Sequence, residues 1–161
     1  MGLDMYLTKR IYIGAHYDHR KVQGSIHITV GGTPIPINLK DVDTINMRAG
    51  YWRKANQIHK WFVENVQDGD DNCGEYYVSE AHLKDLLNTI NAVLASSTPD
   101  ETAMELLPPT SGFFFGSTEL DKWYWDDLRE SKKIIDAALR DLEEESKIPS
   151  VYISFYYTSS W

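Results

Sequence analysis

Cysteine occurs once in the 161 residues, at Cys73, so no intrachain disulfide can form and a disulfide-stapled secreted domain is excluded. No apolar run approaches the ~18–20 residues of a membrane-spanning helix. The stretch Met1 to Arg10 lacks a basic start followed by an apolar segment, which predicts no secretory signal. Cations are also scarce: 16 Lys and Arg against 24 Asp and Glu give a net charge of −8 and an isoelectric point near 5.0. Gripping a nucleic-acid backbone needs the opposite balance, so direct nucleic-acid binding is not expected. The chain contains no GxSxG, HExxH, GxGxxG or CxxC, no internal repeat and no low-complexity segment. These absences leave a soluble, acidic, cytoplasmic chain for which no cofactor and no catalytic residue is expected. Hydrophobic residues make up 42% and charged residues 25%, an ordinary globular mixture, and no linker divides residues 1–161 into more than one domain.

The hydrophobic pattern predicts strands at both ends and helices between them. Apolar and polar residues alternate through Leu3–Thr8, and Ile11–Ile13 continues the run. Ile26, Ile28 and Val30, then Ile35, Ile37 and Leu39, alternate on either side of Gly31–Pro34 and read as a hairpin, with Pro36 marking an edge strand. Residues 40–50 read as a connection, and Tyr51–Val66 as a helix with Tyr51, Ala55, Ile58, Phe62 and Val66 on one stripe. Glu75–Val78 is a short extended run. Ser79 caps a second helix to about Ala95, and Thr98-Pro99 opens a third that Pro108-Pro109 ends. Phe113–Phe115 reads as extended between two glycines. Ser117 or Thr118 then caps a long helix from Glu119 to about Glu145, and Val151–Tyr157 is the last strand. Without βαβ alternation, this order predicts an α+β fold. Three to four helices would pack on a mostly antiparallel sheet, with the C-terminal strand returning to the N-terminal ones.

Aromatic residues carry most of the functional signal, with five Trp and ten Tyr. Trp61 lies about 120° and Trp125 about 100° from the apolar stripes of their helices, and Trp123 sits on the opposite edge. Packing under loops would account for them, but Trp is also over-represented at the energetic centres of interfaces. Trp61, Trp123 and Trp125, with the acidic Asp70 and Asp71, are therefore candidates for a partner-binding surface.

A second cluster, Tyr51, Trp52, Arg53, Asn56 and His59, joined by Phe114, suits a small anionic or planar ligand: Arg pairs with phosphate and aromatic rings stack on bases. The alternative for His59 is a buried ring whose nitrogens are satisfied internally. Asp68, Asp70 and Asn72 match the first positions of a calcium loop. Cys73 and Ser79, however, occupy the places of its Gly and Glu, so no metal is expected. His16–His19 offers two imidazoles without a partner motif, Cys73 has no basic neighbour to activate it, and Gly116–Thr118 lacks the Lys of a phosphate loop.

Several blocks resemble an uncharacterised family of small proteins encoded by bacteriophages and prophages. They are Met1–Leu7, Tyr51–Asn56 with Ile58-His59 and Trp61-Phe62, Asp71 with Cys73, Tyr77–Ser79, Ser111–Thr118 and the ending Ser159-Ser160-Trp161. Residues 15–47 depart most from the pattern. The resemblance implies a bacterial cytoplasm and an accessory gene of the host–virus conflict. The leading expectation is an anti-defence inhibitor that binds a host or defence-system protein through its aromatic and acidic surface. A small-molecule or nucleotide-binding protein using the Trp52/Arg53/Asn56/His59 cluster is the alternative.

Overall fold

The strand β1 (Asp4–Tyr12) alternates buried Met5, Leu7 and Lys9 with half-buried Tyr6, Thr8 and Arg10, and it lies inside the sheet because both its edges are paired. The computed structural model describes residues 2–14, 25–149 and 151–161. After β1 come a short hairpin, β2 (Ile28–Val30) and β3 (Thr33–Ile35), and then β4 (Thr44–Arg53) and α1 (Asn56–Asn65). The chain continues through β5 (Tyr76–Val78), α2 (Glu80–Ala95), α3 (Pro99–Leu106), α4 (Lys122–Glu145) and β6 (Tyr152–Ser160). The main sheet has the order β4-β1-β6-β5 and is antiparallel throughout, while β2 and β3 form a separate pair. The fold is α+β, with the last strand returning beside the first. Among the described residues no helix is long and apolar enough to cross a membrane.

One face of the sheet is the core. Leu3, Met5, Leu7, Trp52, Phe155 and Tyr157 pack there against Ile58 and Phe62 of α1, Leu83, Leu86 and Ile90 of α2, and Leu128 and Ile135 of α4. Tyr157 stacks on Phe62 with ring centroids 4.0 Å apart. Lys9 also points to this side, where Asp141 and Glu145 of α4 accept from its ammonium at 2.8 and 2.6 Å. Burying an ammonium is unfavourable unless it is paired, and these two carboxylates hold the Lys9 pKa above its usual value against that desolvation.

Four features differ from the pattern-based expectation. Residues 44–53 are a strand, not a connection followed by a helix start. Leu7 pairs with Gly50 but Thr8 pairs with Arg48, so Ala49 is the extra residue of a bulge. A bulge shifts the period-two phase, which hides the strand from an alternation test. Gly50 is needed here because a Cβ on it would come within 2.4 Å of Ile134 Cγ2 where α4 crosses the strand. Phe113–Phe115 is a turn rather than an extended run, and α4 begins at Lys122, after Asp121. The hairpin turn contracts to Gly31-Gly32. The second helix and its Ser79 cap lie where expected, with Ser79 Oγ accepting from the His82 amide at 3.1 Å.

Candidate functional site

A cleft of about 520 Å³ opens where the β4–α1 junction faces the first turns of α4, a volume within the usual range of small-molecule sites. Its shape comes from local backbone conformation. The chain turns from strand to helix at Lys54, which has φ 62°, and the opposing loop carries Phe114 at φ 71° and Gly116 at φ 94°. Positive φ in Lys and Phe is strained, and such strain concentrates at binding and catalytic sites. Gly116 is required, since a Cβ there would approach Lys54 Cβ to 3.2 Å in addition to the positive φ.

Asn56 fastens the two walls together. It is 2% exposed; its amide donates to the carbonyls of Phe115 and Ser117 at 3.2 and 2.8 Å, and its oxygen accepts from the Thr110 amide at 2.9 Å. Asn56 is thus turned away from the helix terminus, which Ala55 leaves without a side-chain cap. On the far side, Asp121 accepts from the amides of Trp123 and Tyr124 at 2.9 and 3.1 Å, and the Tyr124 hydroxyl donates to the Leu107 carbonyl at 2.8 Å. Burial holds that phenol well above its ordinary pKa.

The chemistry of the cleft is divided between its walls. The β4–α1 junction contributes Arg53 and Lys54, both exposed and neither in an ion pair among the described residues, together with the amide of Gln57. The loop and α4 contribute Glu119, Asp121, Trp123 and Asp127. Gln57 is 3% exposed, yet its Nε2 is buried without a hydrogen-bond partner. The half-buried Asp127 carboxyl is pushed up to about 6, mainly by burial, with Asp126 and Asp121 adding to the rise. Gln57 lies close enough to favour the charged carboxylate, although no hydrogen bond of good geometry closes between them. An orphaned donor beside a desolvated carboxyl is a combination that folding alone does not favour.

Asp127 should therefore destabilise the free protein at neutral pH. Its folded pKa is raised, so the folded chain keeps the proton to higher pH than the unfolded chain does. Stability should fall as pH rises from about 4 to about 6 and stay lower above that. Asp127→Asn should remove this decline and raise stability at pH 7.5 by about 1–3 kcal/mol, at ~1.4 kcal/mol per pKa unit. Urea denaturation of both proteins at pH 4.5 and 7.5 measures it; equal stabilities at pH 7.5 would contradict the argument.

The sequence-derived candidates separate into three groups. Arg53 and Asn56 line the cleft, as does Trp123, which is 71% exposed. Trp52, His59 and Trp61 lie in the core. The Trp52 indole donates to Ser131 Oγ at 2.8 Å, and Trp61 packs edge-on against Phe62. Trp61 therefore offers no partner surface, and Trp125 is half-buried against the core. His59 is 1% exposed, with Nδ1 2.8 Å from the Tyr157 hydroxyl and Nε2 3.0 Å from Asp71 Oδ2, and it does not line the cleft. Asp71 also accepts from the Trp161 indole at 3.1 Å, so it belongs to this internal network. The remaining candidates, Tyr51, Phe114 and Asp70, lie elsewhere: Tyr51 on the outer sheet face, Phe114 against Phe113 in the strained loop, and Asp70 exposed, accepting from Asn72.

Among the described residues no group of three or more His, Cys, Asp or Glu side chains converges on a metal position. The histidines of 16–19 lie outside the described residues. Gly116–Thr118 does not start a helix; Ser117 Oγ accepts from the Glu119 amide at 3.1 Å.

Sequence reasoning missed Gln57 and Asp127. Asp127 was detectable in principle, because it lies about 60° from Tyr124 on the helical wheel, at the margin of the apolar stripe. It also missed the outer sheet face. Opposed residues share a face, which places Tyr6, Tyr12, Tyr51, Tyr77, Tyr152 and Tyr156 together with Arg10 and Arg48 on the side away from the helices. Arg10 lies 4.2 Å from the Tyr156 ring centre and donates to Glu75, while Arg48 lies over Tyr6 and Tyr51. The chain matches no protein-family profile, no curated protein and no solved structure.

Proposed function

We propose that this is a binding protein that holds a small ligand in the cleft between the β4–α1 junction and α4. The observation that carries this reading is the Gln57 amide: a buried donor with no partner, in the wall of a solvent-connected cleft. A buried donor left unpaired costs about 1–3 kcal/mol, and a ligand acceptor would recover that loss. The reading is the ligand-binding alternative with a different residue set: Arg53 and Asn56 stay, Trp52 and His59 leave, and Gln57, Trp123 and Asp127 enter.

Native mass spectrometry and thermal shift against a metabolite panel test it, with Gln57→Leu as the comparison. A ligand present at about 100 times its Kd adds ~2.7 kcal/mol, or roughly 5–11 °C in Tm for a chain of this length. Gln57→Leu should abolish that shift while keeping or raising the Tm of the free protein, because it removes the orphan donor. A panel with no Gln57-dependent ligand would remove the proposal.

The second reading is a phage-encoded accessory protein that inhibits a host or defence protein. Its support is the amount of aromatic surface left open: Trp123 at 71%, Phe113 at 77%, Tyr77 at 54% and Tyr152 at 57% exposure. On that reading Trp123→Ala weakens partner binding and leaves the Tm unchanged.

A further inference from the structure

We infer that the β2–β3 hairpin joins two copies of this chain, the outer edge of β2 in one pairing antiparallel with the same edge in the other. The inference is independent of the cleft. It starts from the turn: Gly31 and Gly32 have φ 57° and 81°, the type I′ geometry that closes a two-residue hairpin. Such a turn makes Val30 and Thr33 a hydrogen-bonded pair, and bonded and non-bonded pairs alternate along an antiparallel ladder. Thr29 and Pro34, the next pair, therefore point their backbone groups outward. On the β3 side that outward position is a proline, and so is the following one, Pro36, so the edge offers no N–H at either. Proline so placed closes an edge to strand addition. On the β2 side the outward positions are Thr29 and, just before the strand, His27. Both keep their N–H, and no strand pairs with them among the described residues.

Charge and pattern identify the occupant. Each copy carries −8, so two copies repel wherever their charged surfaces meet. Residues 25–39 contain no Asp, Glu, Lys or Arg, although 25% of the chain is charged. Ile28, Ile35 and Val30 share a face of the hairpin at 43, 44 and 64% exposure, and none of them belongs to the core. A lone two-stranded hairpin is marginal in water, whereas pairing two of them gives four strands. Placing Ile28 opposite its own copy on a two-fold axis sets His27 opposite Thr29 of the other copy, where the outward groups exchange backbone hydrogen bonds. The same register sets Ile26 against Val30, so each apolar side chain of β2 meets another. Displacing it by two residues opposes His27 to His27 or Thr29 to Thr29 and leaves fewer apolar pairs. A self-complementary contact of this kind closes as a dimer. A bilayer suits the hairpin less, because the outward N–H groups of β2 would enter hydrocarbon unsatisfied.

Residues 25–30 of each copy make a contact well short of the ~20–30 residues a side of a standard interface, so the dimer should assemble at about 10–100 μM. Sedimentation velocity of the full chain from about 5 to about 500 μM should show monomer passing to dimer. Ile28→Lys opposes like charges at the axis and should weaken association about tenfold or more, with Tm unchanged because the side chain lies outside the core. Thr29→Pro should do the same by removing the outward donor. Oxidation in a Cys73→Ser background reads the register. Ile28→Cys should cross-link two chains, because residues in a non-hydrogen-bonded pair stand ~4.5 Å apart, within disulfide range. Ile35→Cys, one strand further out, should not. A chain that stays monomeric, a dimer unaffected by Ile28→Lys and Thr29→Pro, or an Ile35→Cys bridge as ready as the Ile28→Cys bridge would overturn the inference. So would a monomer that pellets with phosphatidylcholine vesicles unless Ile28 is replaced by Lys, which would make the hairpin a lipid contact.

Discussion

Asn56→Ala is expected to lower stability by about 3–5 kcal/mol and to dismantle the cleft at the same time. The side chain satisfies three backbone groups of the 110–117 loop and is itself 2% exposed. Removing it leaves the Phe115 and Ser117 carbonyls and the Thr110 amide without their partner, at ~1–3 kcal/mol for each group that water cannot reach. For a chain of this length that is a fall of roughly 6–20 °C in Tm. Asn56→Asp should be as damaging, because it replaces a donor with a carboxylate facing two carbonyl oxygens. Any ligand of the cleft should be lost in both variants, since Gly116 and Ser117 belong to its lining. Thermal and urea denaturation measure the first effect; a Tm change under about 3 °C would mean that the loop is held by something else.

His59→Ala should cost about as much for a different reason. The ring bridges Tyr157 on β6 and Asp71 in the loop before β5, and Phe115 meets it edge-on at 5.1 Å. Truncation opens a cavity and strands a buried phenol, whose hydroxyl is already held well above its ordinary pKa by burial. A loss of about 3–5 kcal/mol follows. Asp71 would also be released from the core and, with it, its bond to the Trp161 indole. Hydrogen exchange should then show faster exchange at residues 68–74 and 159–161 than in wild type. A double-mutant cycle with Asp71→Ala should give a coupling energy of about 0.5–3 kcal/mol, as expected for groups in one hydrogen-bond network. Zero coupling would separate the loop from the histidine. In contrast to these two variants, Asp127→Asn is expected to gain stability while losing ligand. Opposite signs of that kind distinguish a site residue from a structural one.

The parts of the fold that could be read from sequence were those where one physical signal dominated. α2 has a serine cap, an unbroken leucine stripe and no competing turn, and its limits match the expectation. β6 was legible from its β-branched and aromatic residues, although it runs on to Ser160. The misreadings cluster where signals compete. Ser117, Thr118 and Asp121 are all acceptable caps, and only Asp121 can accept from two amides of the helix that follows. Tyr51 to His59 looked like one helix, which would place Trp52 beside Asn56 and His59. The chain instead changes conformation at Lys54, and a left-handed lysine has no compositional signature. That single residue moves Trp52 into the core, turns Asn56 toward the loop and brings Gln57 to the cleft. The cleft was therefore only half legible: Arg53, Asn56 and Trp123 were named from chemistry, while Gln57 and Asp127 depend on a tertiary meeting of α1 with α4.

Among the described residues the helices pack on one side of the sheet only, which leaves two populations of strand residues under unlike constraints. Met5, Leu7, Phe155 and Tyr157 answer to every helix that packs on them. Their immediate neighbours Tyr6, Tyr152 and Tyr156 meet only other side chains of the outer face among the ring contacts described: Tyr51 and Arg48, Tyr12, and Tyr77 and Arg10 respectively. Sequence drift, selection or deliberate redesign can work on the second set while leaving the first untouched, so a new surface could be acquired here without refolding the chain. The hydroxyl-rich outer layer is, in that sense, the part of this protein most open to change.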